Sequence, residues 1–263
     1  MPALEEFDLD GKTALVTGAG RGIGRGIVIA LADAGADIAI NSLSEKSTKA
    51  LTDEVLSRGR KVIGLPGNAL NEERINEIVE KTIREFKTID IAISALGDSI
   101  QGSVASVNKS GDPKPFTNEE WLSVIDINLN GAFYFARSVG PHFLENKAGK
   151  MIFISSFGGN RGTAGNSAYN AAKAGLNNFT ESLALEWAPK IQVNTIAPGF
   201  FPDTWPQTLD NYLDDPIFNA AAPLNRAGHP REIGLLSVML VSKAGNYITG
   251  QTIGVDGGLN LGG

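Results

Sequence analysis

The sequence predicts an α/β fold in which a parallel, doubly wound sheet of about seven strands carries helices on both faces. Short runs of β-branched and apolar residues alternate with longer amphipathic stretches along the chain, which is the order that βαβ units produce. No proline- or serine-rich linker divides the 263 residues, and a chain of this length can bury one large core. We therefore predict a single domain over residues 1–263.

Apolar periodicity assigns each element in turn. The first unit pairs a predicted strand, Lys12–Thr17, with a helix over Ile23–Ala34 that has apolar residues at 23, 27, 28 and 31. The remaining predicted strands are Asp37–Asn41, Lys61–Leu65, Ile89–Ser94, Lys150–Ser155, Ile191–Ile196 and Thr252–Val255. The remaining predicted helices are Ser44–Arg58, Asn71–Phe86, Asn118–Phe143, Ala168–Trp187 and Arg231–Val241.

Composition excludes several classes of function. The net charge of −6 argues against a nucleic-acid partner, because phosphate binding needs a basic face. With no cysteine and two histidines, the chain has no thiol nucleophile and no thiolate or multi-histidine metal site. Apolar stretches are shorter than the roughly 20 residues of a membrane span, and residues 1–10 do not resemble a signal peptide. We expect a cytoplasmic protein with no membrane partner.

The 31 glycines exceed the average content of about 7%, and four of them follow the first strand. Residues 17–24 read TGAGRGIG and open a helix, placing Gly18, Gly20, Arg21, Gly22, Ile23 and Gly24 in the turn. Glycines let the backbone approach a bulky anion, and the helix N-terminus offers unpaired N–H groups. The turn predicts dinucleotide binding on a Rossmann-type sheet. The alternative is a tight connection that binds nothing.

The end of the second strand bears on which dinucleotide is bound. An acidic residue there suits the ribose of NAD, whereas hydroxyl or basic groups suit the 2′-phosphate of NADP. Asn41, Ser42 and Ser44 are not acidic, and Arg21 is near enough in sequence to reach a phosphate. This pattern favours NADP(H), with NAD(H) still possible. In the alternative interpretation, Asn41 bonds a 2′-hydroxyl and Arg21 is a surface charge.

Tyr169 and Lys173 are four residues apart at the start of a predicted helix. This spacing places the phenol and the ammonium on one helix face, where a cation lowers the pKa of a tyrosine. Tyr169 is then a candidate general acid or base. Such a pair is common on amphipathic surfaces, so its weight depends on Ser156, which ends a predicted strand at the sheet edge where ligands bind.

Six motifs together resemble the short-chain dehydrogenase/reductase family, in its 3-oxoacyl-carrier-protein-reductase-like branch. They are TGAGRGIG at 17–24, INLNGAF at 127–133, ISSFGG at 154–159, YNAAK at 169–173, IAPGF at 196–200 and ITGQTIGVDGG at 248–258. The resemblance covers nearly the whole chain. It implies a catalytic tetrad of Asn128, Ser156, Tyr169 and Lys173 that transfers hydride between NADP(H) and a small carbonyl or secondary-alcohol substrate.

The resemblance also implies roles for other positions. Tyr169 would protonate the substrate oxygen that Ser156 holds, Lys173 would tune Tyr169 and bond the nicotinamide ribose, and Asn128 would hold a water. Further cofactor contacts are implied at Asn68, Ala69, Ser94, Ala95, Gly97, Pro198 and Gly199. A substrate lid is implied at residues 198–223, with an apolar pocket formed by Phe200, Phe201 and Trp205. The helices over 118–143 and 168–187 would pack in a homotetramer.

One departure from the family pattern concerns the end of the fourth strand. Ser94-Ala95-Leu96-Gly97 stands where the family usually has Asn-Asn-Ala-Gly, which puts the local hydrogen bonds in doubt. Two alternatives remain open: an NAD-dependent alcohol or sugar dehydrogenase, and a cofactor-binding regulatory or scaffold protein without catalysis. An enoyl reductase is disfavoured, since that branch spaces its tyrosine and lysine more widely. The sequence does not identify the substrate.

Overall fold

The computed structural model describes residues 4–105, 114–203 and 222–261. Within them, seven parallel strands form one sheet in the order β3-β2-β1-β4-β5-β6-β7. The strands are β1 (Thr13–Thr17), β2 (Asp37–Ile40), β3 (Val62–Gly64), β4 (Ile91–Ser94), β5 (Gly149–Ile154), β6 (Ile191–Pro198) and β7 (Thr252–Val255). The longer helices are α1 (Gly22–Asp33), α2 (Glu45–Leu56), α3 (Glu72–Phe86), α4 (Asn118–Ile125), α5 (Gly131–Asn146), α6 (Ser167–Trp187) and α7 (Pro230–Val241). The predicted fold class is confirmed.

Alternation along each strand explains why helices cover both faces of the sheet. In β1, Val16 faces a core that includes Ile27 of α1 and Ile233 of α7. Leu15 faces the opposite core, which includes Ile78 of α3 and residues of α5 and α6. Strand β1 pairs with β2 on one side and β4 on the other. The chain therefore reverses direction across the sheet at β1, and this is where open α/β sheets form a ligand crevice.

The predicted helical region over Asn118–Phe143 is present without a break, but it is not α-helical throughout. The structure has α4, then a π-helical turn over Asp126–Asn130, then α5. Within that turn Asn128 Nδ2 donates to the carbonyl of Val124 at 2.8 Å and to the carbonyl of Asp98 at 2.6 Å. The second bond ties the helix to the end of β4. Such π-helical bulges often mark functional sites.

Both histidines accept hydrogen bonds from backbone amides. His229 is the N-cap of α7, and its Nδ1 accepts a hydrogen bond from the Arg231 amide. His142 accepts one from the amide of Ile89 through Nε2. Among the described helices, no helix combines the length and the apolar character needed to cross a bilayer.

Helices α1 and α7 pack so closely that a glycine is required at the contact. A Cβ at Gly26 would lie 2.6 Å from the carbonyl group of Pro230. We expect Gly26→Val to lower the free energy of unfolding by about 3 kcal/mol, because overpacking forces the helices apart. Urea denaturation measures this change. The control is Gly162→Val, where a Cβ meets nothing within 4 Å; an equal loss in both variants would contradict the packing argument.

Candidate active site

A cleft of about 670 Å³ lies at the carboxyl edge of the sheet. It is bordered by the turns that follow β1 and β2, by the ends of β4, β5 and β6, and by the start of α6. The sequence-predicted residues that line it are Gly18, Gly20, Arg21, Ile23, Gly24, Ser42, Ser44, Ala95, Gly97, Ser156, Tyr169, Lys173, Pro198, Gly199 and Phe201. Predicted residues outside its lining are Gly22, Asn41, Asn68, Ala69, Ser94, Asn128 and Phe200. Trp205 lies outside the described residues.

The glycine-rich turn forms one end of the cleft. Gly18 has a φ of +70°, and a Cβ there would lie 2.5 Å from the carbonyl oxygen of Ala95. At Gly24 a Cβ would collide with the carbonyl oxygen of Gly18. The turn can therefore pack against β4 and enter α1 only with glycines at these positions. The bare backbone, the helix N-terminus and the cleft volume suit the phosphates of a dinucleotide.

The structure assigns Asn41 a different role from the predicted ribose contact. Its side chain is buried, and Nδ2 donates to the carbonyls of Leu65 at 2.8 Å and Gly67 at 3.1 Å. Asn41 thus holds the loop after β3 and does not line the cleft. Ser42 does line it, and its hydroxyl is 2.7 Å from the hydroxyl of Thr48.

The predicted adenine contact at Asn68 is also displaced from the cleft. Its Oδ1 accepts a hydrogen bond from the Leu70 amide at 3.0 Å, while Ala69 is buried in the core. Both residues belong to the turn that leads into α3. Among the described residues, the part of the cleft beside Gly20 is lined by Ser42, Leu43, Ser44 and Ser47.

Arg21 is exposed at the mouth of the glycine turn and is already paired. One of its guanidinium nitrogens is 3.0 Å from Asp203 Oδ2. The Asp203 backbone carbonyl also accepts a hydrogen bond from the Gly22 amide at 3.2 Å. The segment after β6 therefore places a carboxylate beside the helix N-terminus, where an anion is favoured. The sequence did not indicate this contact, which joins residues about 180 positions apart.

Ser156, Tyr169 and Lys173 lie on the same wall of the cleft. Ser156 ends β5 and starts a single 3₁₀ turn, and its Oγ accepts a hydrogen bond from the Gly158 amide at 3.1 Å. A hydrogen bond also joins Ser156 to the Tyr169 side chain. Tyr169 is in the first turn of α6, and Lys173 follows it one turn later. The structure thus joins two segments that are 13 positions apart.

Lys173 is the most deeply buried charged side chain of this wall. Its side chain is 1% exposed, and Nζ donates to the carbonyls of Ile154 at 2.8 Å and Leu96 at 3.3 Å. Burial lowers the pKa of Lys173 to about 7, because an ammonium loses its hydration there. Near neutral pH this amine therefore exchanges a proton readily.

The expected lowering of the tyrosine pKa is not found in this structure. Burial raises the pKa of Tyr169 above its usual value, and the negative charge of Asp98 acts in the same direction. The hydrogen bond from Ser156 lowers that pKa, but it is outweighed by burial. Lys173 Nζ lies 5.7 Å from the ring centroid of Tyr169. The sequence argument failed because it assumed a fully charged lysine and ignored the desolvation of both groups.

Asn128 lies behind this wall rather than on it. Its side chain is 1% exposed, and Oδ1 has no hydrogen-bond partner among the described residues. A Cβ at Gly97 would lie 3.1 Å from both Asn128 Oδ1 and Lys173 Nζ. The bare glycine therefore separates an unsatisfied acceptor from the buried amine. A polar group or water beside Gly97 would satisfy the amide oxygen.

The altered sequence at the end of β4 leaves one visible consequence. Ser94 is buried and pairs in register with Thr17 of β1. The hydroxyl of Thr17 is buried without a hydrogen-bond partner among the described residues. Ala95 and Gly97 line the cleft through backbone and small side chains. An unsatisfied polar atom of the central sheet therefore lies in register with Ser94.

Two phenylalanines follow Pro198-Gly199, but only one lines the cleft. Phe201 borders the cleft and also a second cavity of about 380 Å³. Phe200 borders only the second cavity and not the cleft. Its ring packs edge-to-face on Phe157 with centroids 5.4 Å apart. The predicted pocket of Phe200, Phe201 and Trp205 is thus divided between two cavities, as far as the described residues extend.

Several lining residues were missed by the sequence argument. They are Leu43, Ser47, Leu96, Asp98, Ser99, Ile127, Ile154, Ser155 and Asp203. Asp98 and Ser99 had a usable signal, because they directly follow β4 at the carboxyl edge of the sheet. Asp203 had none, since its position depends on how the chain after β6 folds back on α1.

The fold and the cleft together point to a class of protein, the oxidoreductases that bind a dinucleotide. Ser156, Tyr169 and Lys173 lie on one wall of the cleft. A family model described as enoyl-(acyl carrier protein) reductase matches residues 18–260. The chain is 34% identical over 254 residues to a 3-oxoacyl-[acyl-carrier-protein] reductase of Synechocystis sp., covering 95% of this chain and 98% of the relative. It is also 34% identical over 256 residues to the reductase of that name from Vibrio cholerae, covering 97% and 100%.

Solved structures agree with these relatives. A gluconate 5-dehydrogenase from Burkholderia cenocepacia, in complex with NADP and tartrate, superimposes with a TM-score of 0.86 at 28% identity. That comparison covers 99% of this chain and 100% of the other. The chain belongs to the short-chain dehydrogenase/reductase family, in its 3-oxoacyl-carrier-protein-reductase-like branch. By that membership it is an NAD(P)-dependent oxidoreductase.

Proposed function

We propose that this protein transfers hydride between NADP(H) and a small substrate that carries a carbonyl or a secondary alcohol. One observation carries the proposal: Ser156, Tyr169 and Lys173 line the same cleft as the glycine turn. A site that binds the phosphates at one end thus presents acid–base groups at the other. Proximity of this kind is what a hydride transfer coupled to a proton transfer requires.

Tyr169 acts as the general acid in the reducing direction. Its raised pKa keeps the phenol protonated at neutral pH, so a proton is available for the substrate oxygen. When bound, the nicotinamide supplies the hydride that reaches the carbonyl carbon. The C=O π bond breaks, the oxygen takes the proton of Tyr169, and an alcohol forms. Ser156 donates its hydroxyl hydrogen to the same oxygen and orients it.

Lys173 and Asn128 return the proton to Tyr169. A pKa of about 7 lets Lys173 exchange a proton at neutral pH. The unsatisfied Oδ1 of Asn128, across Gly97 from the lysine amine, fits a water that continues the path toward solvent. In this proposal Lys173 and Asn128 act through Tyr169, and Tyr169 touches the substrate.

NADP(H) is the favoured cofactor, and NAD(H) remains possible. The gluconate 5-dehydrogenase relative carries NADP, and the end of this cleft where the adenosine would lie is lined by the hydroxyls of Ser42, Ser44 and Ser47. The acidic side chain beside it, Asp203, pairs with Arg21. Arg21 lies at the same end. Hydroxyl and guanidinium donors suit a 2′-phosphate better than an unmodified ribose.

This choice of cofactor predicts a selective effect at Arg21. We expect Arg21→Ala to weaken NADPH binding about tenfold, since a charge-assisted hydrogen bond contributes roughly 1.5–3 kcal/mol. The dissociation constant of NADH should change by no more than about twofold to threefold. Fluorescence titration of each reduced cofactor gives both constants, with Arg84→Ala on the exposed face of α3 as control. Equal losses for both cofactors would contradict a 2′-phosphate contact.

A substrate panel distinguishes this function from the two alternatives. NADPH and NADH are titrated first, and turnover of a set of ketones is then followed by the absorbance of the reduced nicotinamide. A preference for NADH would favour an NAD-dependent alcohol or sugar dehydrogenase. Tight NADPH binding without turnover of any ketone would favour a regulatory or scaffold protein.

The exposed face of α4, α5 and α6 supports a homotetramer as part of this proposal. It carries exposed apolar side chains at Trp121, Leu122, Phe133, Leu144 and Leu185. Exposed apolar side chains of this size are typical of subunit contacts when they form one patch. We further propose a single domain over residues 1–263, a substrate lid over 198–223 and a cytoplasmic location. Sedimentation equilibrium of the whole chain tests the tetramer.

A further inference from the structure

Asp98 places a carboxylate in the catalytic cleft. It directly follows Gly97 at the end of β4, and it lines the cleft together with Ser156 and Tyr169. Its backbone carbonyl accepts the 2.6 Å hydrogen bond from Asn128 Nδ2. The buried asparagine thereby fixes the backbone from which the Asp98 side chain projects. The backbone of Asp98 is therefore held by the asparagine that lies behind the reactive wall.

The charge of Asp98 is not neutralised by the part of the chain that the structure describes. Its Oδ1 accepts a hydrogen bond from the Ser99 amide at 2.9 Å, and no ion pair involves it there. The two cations that line the cleft are engaged elsewhere: Arg21 pairs with Asp203, and Lys173 bonds backbone carbonyls. The Asp98 residue is exposed, so its carboxylate is open to a molecule in the cleft.

The carboxylate of Asp98 lies where it can act electrostatically on Tyr169. Asp98 follows Gly97, where a Cβ would lie 3.1 Å from Lys173 Nζ, so its carboxylate projects from backbone that lies beside the reactive wall. Its negative charge acts to raise the pKa of Tyr169, in the same direction as burial. A substrate oxygen bonded to Tyr169 therefore brings its neighbouring substituents near Asp98. A carboxylate on the substrate would be repelled at this short range, whereas a hydrogen-bond donor would be attracted.

We propose that Asp98 determines substrate specificity by accepting a hydrogen bond from a hydroxyl or ammonium group on the carbon two bonds from the reacting carbonyl. The substrate class is a hydroxy or amino ketone, and ketones with a carboxylate at that place are disfavoured. This inference rests on the proposed function of the same site.

Four ketones that share one skeleton test the proposal. They carry different groups at the carbon two bonds from the carbonyl: 4-hydroxybutan-2-one, 4-aminobutan-2-one, 3-oxobutanoate and, as an apolar reference, pentan-2-one. We expect the kcat/KM of the wild type for the hydroxy or amino ketone to exceed that for 3-oxobutanoate at least tenfold. In Asp98→Asn and Asp98→Ala this ratio should fall at least tenfold. A preference for the amino ketone identifies an ammonium group, and a preference for the hydroxy ketone identifies a hydroxyl.

The matched control removes one negative charge outside the cleft. Asp53 pairs with Lys49 on the exposed face of α2, with Nζ and Oδ2 2.9 Å apart, so Asp53→Asn should keep the wild-type ratio. An unchanged ratio in both Asp98 variants would overturn the proposal. So would an equal change in Asp53→Asn, because net charge and not position would then be responsible.

A binding measurement separates this inference from the proposed function. In the presence of NADPH, 3-methylbutan-1-ol and 3-methylbutanoate bind without reacting, and ligand-observed NMR gives their dissociation constants. We expect the wild type to bind the alcohol more tightly than the acid and Asp98→Asn to remove most of that difference. Equal constants in the two proteins would overturn the inference even where ketones are turned over. The expected difference without any ketone turnover would overturn the proposed function alone.

Discussion

Replacement of Tyr169 by phenylalanine is expected to lower kcat for ketone reduction about 10³-fold, within the usual range for removal of a general acid. The phenol is the group that supplies the proton, and Ser156 alone polarises the oxygen without protonating it. The ring itself remains, so the dissociation constant of NADPH should stay within about twofold. Turnover under saturating NADPH, together with a fluorescence titration, measures both quantities.

Tyr247→Phe is the matched control for this experiment. Tyr247 is fully exposed after α7, so loss of its hydroxyl should leave kcat unchanged. Undiminished turnover in Tyr169→Phe would contradict the acid role outright. A parallel loss of NADPH binding would instead indicate that the substitution had disturbed the cleft.

Lys173→Met should lower kcat about 100-fold, because the proton of Tyr169 is then no longer returned through a titrating amine. Methionine fills a similar volume but leaves the carbonyls of Ile154 and Leu96 without their donor. The pH–rate profile of ketone reduction measures the effect. If Lys173→Met kept the wild-type kcat across neutral pH, this would contradict the proposed return of the proton to Tyr169 through Lys173.

The same variant has a second expected effect, on stability as a function of pH. The folded pKa of Lys173 is lowered to about 7, whereas an unfolded lysine titrates near 10.4. Between these values the unfolded chain binds more protons, so the stability of the wild type rises with pH. Between pH 7 and 10, the free energy of unfolding of the wild type should therefore rise relative to that of Lys173→Met by up to about 1.4 kcal/mol per pH unit.

Urea unfolding of both proteins at several pH values tests this difference. Lys150, whose pKa burial lowers to about 8, is present in both chains, so its contribution cancels in the comparison. Below pH 7 the difference should be constant, because the lysine is protonated in both states. A pH-independent difference up to pH 10 would mean that Lys173 is not buried as an amine.

The fold was largely predictable because its signals are local. Apolar runs and glycine turns lie within a few residues of each other, and every predicted strand is present with its ends shifted by at most two positions. The π-helical turn at Asp126–Asn130 was not predictable, since it depends on a hydrogen bond from Asn128 to a strand end 30 positions earlier. The sequence pattern of apolar residues alone does not show where a π-helical turn begins.

The candidate site was predictable to the extent that motifs identify it. Ser156, Tyr169 and Lys173 do lie together, although their roles stay predictions. The direction of the Tyr169 pKa shift was predicted wrongly because burial, a property of the folded chain, raises that pKa and outweighs the hydrogen bond from Ser156. The cofactor contact predicted for Asn41 also depends on the folded chain, because its side-chain amide donates to carbonyls of the loop after β3. Asp203 reaches the cleft only through tertiary contacts.

The measurement that tests the central claim most directly follows the hydride itself. The protein is incubated with a ketone and NADPH that carries deuterium at both C4 positions of the nicotinamide, and the product is analysed by mass spectrometry. We predict an alcohol with one deuterium on the former carbonyl carbon from the wild type and only trace product from Tyr169→Phe. Bound NADPH that labels no alcohol across the ketone panel would contradict the assignment of this cleft as a carbonyl-reducing site.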